Sequence, residues 1–325
     1  MALTEAELAQ RRGLITSSNV AACLGLDTRC TPLQAALRAR GESDEPRNAV
    51  LEKACERGDR LESLCLDSIA EPRGWTWRKP PFVQRDDAPW AGDSCDAMYY
   101  DEQGRVAALG EAKTAALGVS RHFGAEQSDD VPHTALLQSQ WHLWHHPTAE
   151  VCYVPVLVGG YRFEFREYIV PRKPQLIDVM TQELHEFHRR YVVGDELPPV
   201  SADDGEWLLR KWPDASAGMV TATPELESLV RAKAASGAAL KAAKADDDLA
   251  KNRIREYLAD GEGARAEWGS VYYRRVKGSA KTDWQRVANE LASGDVPEDI
   301  VMRHTRIAPG PRVLRVYLKE GETNE

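Results

Sequence analysis

Long apolar runs are missing from this chain. No stretch approaches the roughly 20 residues that a membrane-spanning helix needs. The opening Met1-Ala2-Leu3-Thr4-Glu5-Ala6-Glu7 lacks the basic-then-apolar order of an export signal, so a cytosolic protein is expected. Close cysteine pairs are also missing: the nearest of the six cysteines are seven residues apart (Cys23, Cys30) and ten apart (Cys55, Cys65). That spacing excludes a zinc cluster or an iron–sulfur run and points to free thiols in a reducing compartment. No Gly-x-x-x-x-Gly-Lys run exists, so no ATP motor is expected. His185-Glu186-Phe187-His188 lacks the i, i+4 histidine pair of a zinc protease helix and reads as surface. Nor is there an excess of positive charge. The net charge of −9 excludes indiscriminate coating of nucleic acid, yet it is compatible with an enzyme whose basic residues line one channel.

At 325 residues the chain exceeds one minimal core, so a main domain with an appendage is expected: residues 1–200, a connector at 201–222, and 223–325. Thr4 with Glu7 reads as a capping box for a short helix over 4–12. Ser17 or Ser18 would cap a second helix running to Leu24 and stopped by Gly25. Thr31-Pro32 opens a third, to about Arg40, and a longer amphipathic helix covers 48–72. Two extended segments meet at the turn Tyr100–Arg105, and an aromatic-rich helix follows over 132–145. Two strands, Ala149–Val158 and Arg162–Val170, join through Gly159-Gly160, and a helix covers 174–193. This order predicts an α+β core, a central mixed sheet flanked by helices. Beyond a loop-rich connector, Thr223-Pro224 starts an alanine-rich helical arm to about Leu258, which Gly237 and Asp246-Asp247-Asp248 would fold into a hairpin. The arm is expected to pack on its own core or on another subunit. Short strands at Ser270–Val276 and Arg312–Leu318 close the chain.

The chemistry concentrates around residues 96–113. Glu111 and Lys113 stand two apart on an extended segment, so both side chains face one way. If the register brings Asp96 alongside, two acids and an amine converge on one point. Such a group can hold a hard cation beside a lysine, which is what metal-assisted phosphodiester hydrolysis requires. Glu62, on the helix before, and Gln138, on the helix after, accompany this group. Arg11 with Ser17 and Ser18 would make an anion site at a helix start. His142, His145 and His146 crowd near Trp141 and Trp144. The tryptophans, three apart, read as core, and the histidines as capping or decorating the helix end.

In the order Arg11, Gly13–Ser18, Gly58…Glu62, Asp96, Glu111-Ala112-Lys113 and Gln138-Ser139-Gln140, residues 8–195 resemble the YqaJ-type viral recombinase nucleases, the lambda-exonuclease-like branch of the PD-(D/E)xK superfamily. The resemblance implies a restriction-endonuclease-like core. It also implies a Mg2+ site, with Mn2+ as a substitute, made by Asp96, Glu111, the Ala112 carbonyl and Glu62. Lys113 would orient or deprotonate the attacking water, Gln138 would brace the site, and Arg11 and Ser18 match positions that hold a terminal 5′-phosphate. The family's spacing selects Asp96 over Asp93 and Asp101. Departures are Cys95-Asp96-Ala97 in place of Pro-Asp-Gly, Ala135 where a tyrosine is common, and Glu7 where a tryptophan can stand. The activity implied is a 5′→3′ exonuclease on duplex DNA ends, feeding a single-strand-annealing recombinase in a bacterial or phage-infected cytosol, from a ring trimer. A structure-specific or restriction-like endonuclease and a DNA-end-binding scaffold are the alternatives. The intact acidic residues and lysine speak against a scaffold.

Overall fold

The computed structural model describes residues 9–43, 49–159, 163–212, 221–278, 280–290, 298–307 and 312–318. The expected cap at Thr4 and Glu7, the Glu7 departure and Gly160 of the second hairpin lie outside the described residues. The chain divides into two compact units, Met1–Ser216 and Ala217–Glu325.

The first unit opens with strand β1 (Ile15–Thr16), helix α1 (Val20–Cys23), helix α2 (Pro32–Arg40) and helix α3 (Ala49–Ala70). Strands β2 (Thr76–Arg78), β3 (Val83–Gln84), β4 (Ala91–Asp93), β5 (Ala97–Tyr100), β6 (Val106–Gly110) and β7 (Lys113–Ala116) follow. Then come α4 (Leu117–Ser120), α5 (His133–His145), β8 (Val151–Gly159), β9 (Glu164–Pro171) and α6 (Pro174–Phe187). Thr31 caps α2 as its sequence predicts, with a reciprocal box to Gln34, and Gly41 ends the helix in the left-handed conformation. The expected cap of α1 is different. Asn19 holds that position without a side-chain cap bond, because its Oδ1 instead accepts from the Thr16 amide at 2.8 Å.

The central sheet is mixed, as expected. β5 and β6 form the predicted antiparallel hairpin, with Ala97 opposite Gly110. β8 is covered along one edge by antiparallel β9, while β6 and β7 both run parallel to it, Gly110 beside Tyr153 and Lys113 beside Val156. Both parallel pairings therefore keep one register along β8. Glu111 and Ala112 form a break between two strands rather than part of one, and the Glu111 amide still donates to the Tyr153 carbonyl at 2.9 Å. A smaller sheet sets β4 between β1, parallel, and β3, antiparallel.

Side-chain alternation gives the main sheet two buried faces. Ala97, Tyr99 and Ala108 pack against Leu66, Ile69 and Ala70 of α3, whereas Leu109 and Cys152 pack with Leu143 of α5. Trp141 is fully buried and its indole N–H donates to the Gly92 carbonyl at 2.9 Å, so α5 also pins the smaller sheet. The tryptophan is core, as expected. Cys23, Cys30, Cys65, Cys95 and Cys152 are buried, and none of them is in a disulfide. In the connector, residues 205–211 are helical (α7, Gly205–Lys211) where a loop is expected.

In the second unit the arm is one continuous helix, α8 (Pro224–Leu258), capped by Thr223. Neither Gly237 nor Asp246-Asp247-Asp248 breaks it, contrary to expectation. Surrounding alanines favour the helix, and Lys251 pairs with Asp247 one turn away. Leu226, Leu229, Val230, Leu240 and Leu249 along it are exposed. Strands β10 (Gly263–Ala266), β11 (Gly269–Arg275) and β14 (Arg312–Leu318) make one small sheet. Strands β12 (Ala280–Thr282) and β13 (Thr305–Ile307) pair around helices α9 (Trp284–Glu290) and α10 (Glu298–His304). Among the described residues no helix is long and apolar enough to cross a membrane.

Candidate active site

Glu111 and Lys113 share the parity of Leu109, so despite the break both project toward α5. On α5, Gln138 and His142 stand four residues apart and therefore share a face. The two periods mesh. Lys113 Nζ donates to Glu111 Oε1 at 2.6 Å and to Gln138 Oε1 at 2.7 Å. Glu111 Oε2 meets His142 Nε2 at 2.9 Å, and His142 Nδ1 meets Asp93 Oδ1 at 2.8 Å. Each oxygen of Glu111 thus has its own partner, which fixes the carboxylate's orientation.

Asp96 precedes β5, and its Oδ2 accepts the Ala112 amide at 3.0 Å, tying the hairpin to the break. Glu62, on α3, reaches the same region through Lys79, whose Nζ lies 3.1 Å from Glu62 Oε1 and 4.0 Å from Asp96 Oδ1. Asp96, Glu111, Glu62, Lys113 and Gln138 are therefore brought together. Ala112 joins them through its amide.

Burial is the largest single influence on each group, and at Glu111, His142 and Asp93 the neighbouring charges together overturn it. Burial, with Glu111 and Glu62 nearby, pushes the Asp96 carboxyl up to about 8. Burial would raise Glu111 too, but Lys113 and His142 outweigh it and hold Glu111 well below the usual carboxylate range. Burial opposes the charge on His142, yet Asp93 and Glu111 raise it to about 10, making it an imidazolium between two carboxylates. Asp93 is correspondingly held far below its ordinary value, despite its burial.

Asp96 and His142 both bind their protons more tightly folded than unfolded. Each favours the folded state at low pH and loses that contribution as pH rises: Asp96 between 3.8 and about 8, His142 between 6.5 and about 10. In EDTA the thermal midpoint is expected to fall progressively as pH is raised across the His142 interval. A flat or rising profile by differential scanning fluorimetry would contradict these directions.

His142, Asp93 and Lys79 are the participants that sequence reasoning misses. The histidine does not decorate the helix end: its side chain is fully buried, and His146 Nε2 also lies 3.4 Å from Asp93 Oδ2. Its one legible signal is the four-residue step from Gln138. His185 stacks on Trp90, ring centroids 5.3 Å apart, and is exposed as expected, but Phe187 of the same run is buried and His188 is half-buried, its Nε2 2.7 Å from the Gly13 carbonyl oxygen.

The expected anion site divides. Arg11 and Ser18 line a cleft of about 480 Å3, together with Arg12, Thr16, Arg29 and Arg38. Ser17 is buried and does not line it. This cleft and the acidic cluster share a frame, because Thr16 of β1 pairs with Gly92 of β4, the residue before Asp93.

Residues 8–148 match the YqaJ-like viral recombinase domain family. Over that stretch the chain is similar to the family. The resemblance expected from the sequence is borne out over those residues. No curated protein matches the chain. Among solved structures it is similar to the alkaline exonuclease LHK-Exo from Laribacter hongkongensis, at 17% identity and a TM-score of 0.44, over 64% of this chain and 97% of that one. LHK-Exo in complex with dAMP is similar at 18% identity and a TM-score of 0.43, with the same coverage.

The donor set of this site can be weighed against a divalent cation. Glu62, Asp96 and Glu111 offer only carboxylate oxygens, the chemistry that suits Mg2+ or Mn2+ rather than zinc. The rise at Asp96 comes from burial beside two other carboxylates, a repulsion that a divalent cation would relieve. Among the described residues, however, no three such side chains already converge on one point. The chemistry fits a hard cation, with a side-chain adjustment needed to load it.

Proposed function

We propose that this chain is a divalent-cation-dependent DNA exonuclease. It would use Mg2+, with Mn2+ as a substitute, and degrade duplex ends 5′→3′ in phage-type recombination. The observation that carries this reading is the meeting of Glu111, Lys113 and Gln138 beside Asp96 and Glu62. A phosphodiester resists attack because negative charge grows on the attacking and leaving oxygens next to an anionic phosphate. A cation held by Asp96, Glu111 and Glu62 supplies charge to offset it when bound.

This chain's own residues do the rest. Gln138 and Glu111 aim the Lys113 ammonium, leaving its third N–H to orient the attacking water and to stabilise the phosphate as charge develops. His142 and Asp93 keep Glu111 charged and fixed, so little reorganisation is needed at the moment of attack. Hydrolysis joins the water oxygen to phosphorus and breaks the P–O3′ bond. It releases a 5′-mononucleotide and leaves a new 5′-phosphate on the shortened strand. The cleft lined by Arg11, Ser18, Arg12 and Arg38, with Arg29 already paired to Asp27 on its wall, is net cationic, which suits that recurring dianion and supports action from a 5′ end. Delivery of the resulting single strand to an annealing recombinase, and a ring trimer enclosing the duplex, belong to the same proposal.

Digestion of matched substrates tests it. Linear duplex with 5′-phosphates should be degraded in Mg2+ or Mn2+ and spared in EDTA, and covalently closed circles should survive. Cutting of circles would establish an endonuclease instead, and no degradation of any substrate would favour a DNA-end-binding scaffold.

A further inference from the structure

Lys79 belongs to none of the motifs above. It follows β2 and opens the segment Lys79-Pro80-Pro81-Phe82, where two prolines restrict the backbone before β3. Its ammonium stands against one oxygen of Glu62 and against Asp96 Oδ1, the oxygen of Asp96 that the Ala112 amide leaves open. Those are the oxygens a cation between α3 and the hairpin would use. The Lys79 side chain is half exposed (52%), so it can swing into water on its flexible stem at little cost. Lys113 is different: it is held from two sides by Glu111 and Gln138, and its side chain is 27% exposed.

We propose that Lys79 is the resident counter-ion of the Glu62–Asp96 gap, occupying the position that a divalent cation takes on loading. It holds the acidic residues apart from direct mutual repulsion while the site is empty, and the incoming ion must displace it. The failure of three acidic side chains to converge on one point then has a physical cause: Lys79 already stands between Glu62 and Asp96, and Lys113 and His142 hold Glu111. The proposal rests on the nuclease reading, because it assumes that this site loads a divalent cation.

Two measurements on the full-length chain test it, with Mn2+ as the probe after stripping with EDTA. By calorimetric titration, Lys79→Ala should bind Mn2+ about tenfold more tightly than the wild type, the factor that corresponds to removing about 1.4 kcal/mol of competition. In thermal unfolding, Lys79→Ala should be less stable than the wild type in EDTA and equal to it in saturating Mn2+, since the ion replaces the lost ammonium. A bystander lysine acting only through its charge would leave the deficit in place at saturation. Wild-type affinity in the variant, or a deficit that persists in Mn2+, overturns the proposal while leaving the nuclease reading intact. A wild-type chain that binds no Mn2+ overturns both.

Discussion

Replacing Lys113 or Glu111 with alanine is expected to abolish DNA hydrolysis. Lys113→Ala should leave the fold and DNA binding largely intact, whereas Glu111→Ala should also lose stability because buried His142 keeps only Asp93. Lys113→Ala removes the ammonium that Glu111 Oε1 and Gln138 Oε1 aim, and losing one preorganised donor of this kind costs roughly 10²–10³ in rate. Glu111→Ala removes a proposed cation ligand and the anchor of that lysine together, so its loss should be at least as large. Initial rates on linear duplex in Mg2+, beside circular dichroism and duplex binding in EDTA, check the result. A variant that cuts at the wild-type rate would remove these residues from the reaction. Gln138→Ala should fall between, because Glu111 still holds one side of Lys113.

His142→Ala should cost about 3–5 kcal/mol of stability, the loss typical when a buried ion pair keeps one side. The imidazolium sits between Asp93 and Glu111, and its side chain is wholly out of water. Removing it leaves two buried carboxylates facing each other across a cavity. His142→Gln keeps volume and can donate to one of the two, so a smaller loss is expected. Urea unfolding of both variants measures the difference, and a His142→Ala cost below about 1 kcal/mol would show that the bridge contributes little. The same variant should also lower the hydrolysis rate, because Glu111 Oε2 loses the partner that orients it.

Much of the local architecture was legible without coordinates. The Thr31 box and Gly41 stop are written in adjacent residues, and so are the long helices over 49–70 and 133–145 and the β5–β6 hairpin. Local rules failed where a longer-range contact competed. Asn19 turned back to Thr16 instead of capping with a serine, and alanine propensity carried α8 through Gly237 and three aspartates.

The candidate site shows the same division more sharply. Glu111 and Lys113 declared themselves through the two-residue strand period, and a family pattern added Glu62, Asp96 and Gln138. Nothing in that pattern pointed to His142, Asp93 or Lys79. Their partners lie 31, 49 and 17 residues away along the chain. Periodicity states which residues share a face. It does not state which face another element will cover, or how far along it will lie.

By itself, then, the sequence determined most of the elements, the carboxylate–lysine pair and the resemblance to the YqaJ-like family. The tertiary structure decided that α5 crosses β6 and β7 where Gln138 meets Lys113 and His142 joins Glu111 to Asp93. It also decided that Lys79 stands between Glu62 and Asp96. The reason is physical: an imidazolium or an ammonium among buried acids is favoured only once folding has removed water and fixed the distances, and neither condition exists along the unfolded chain.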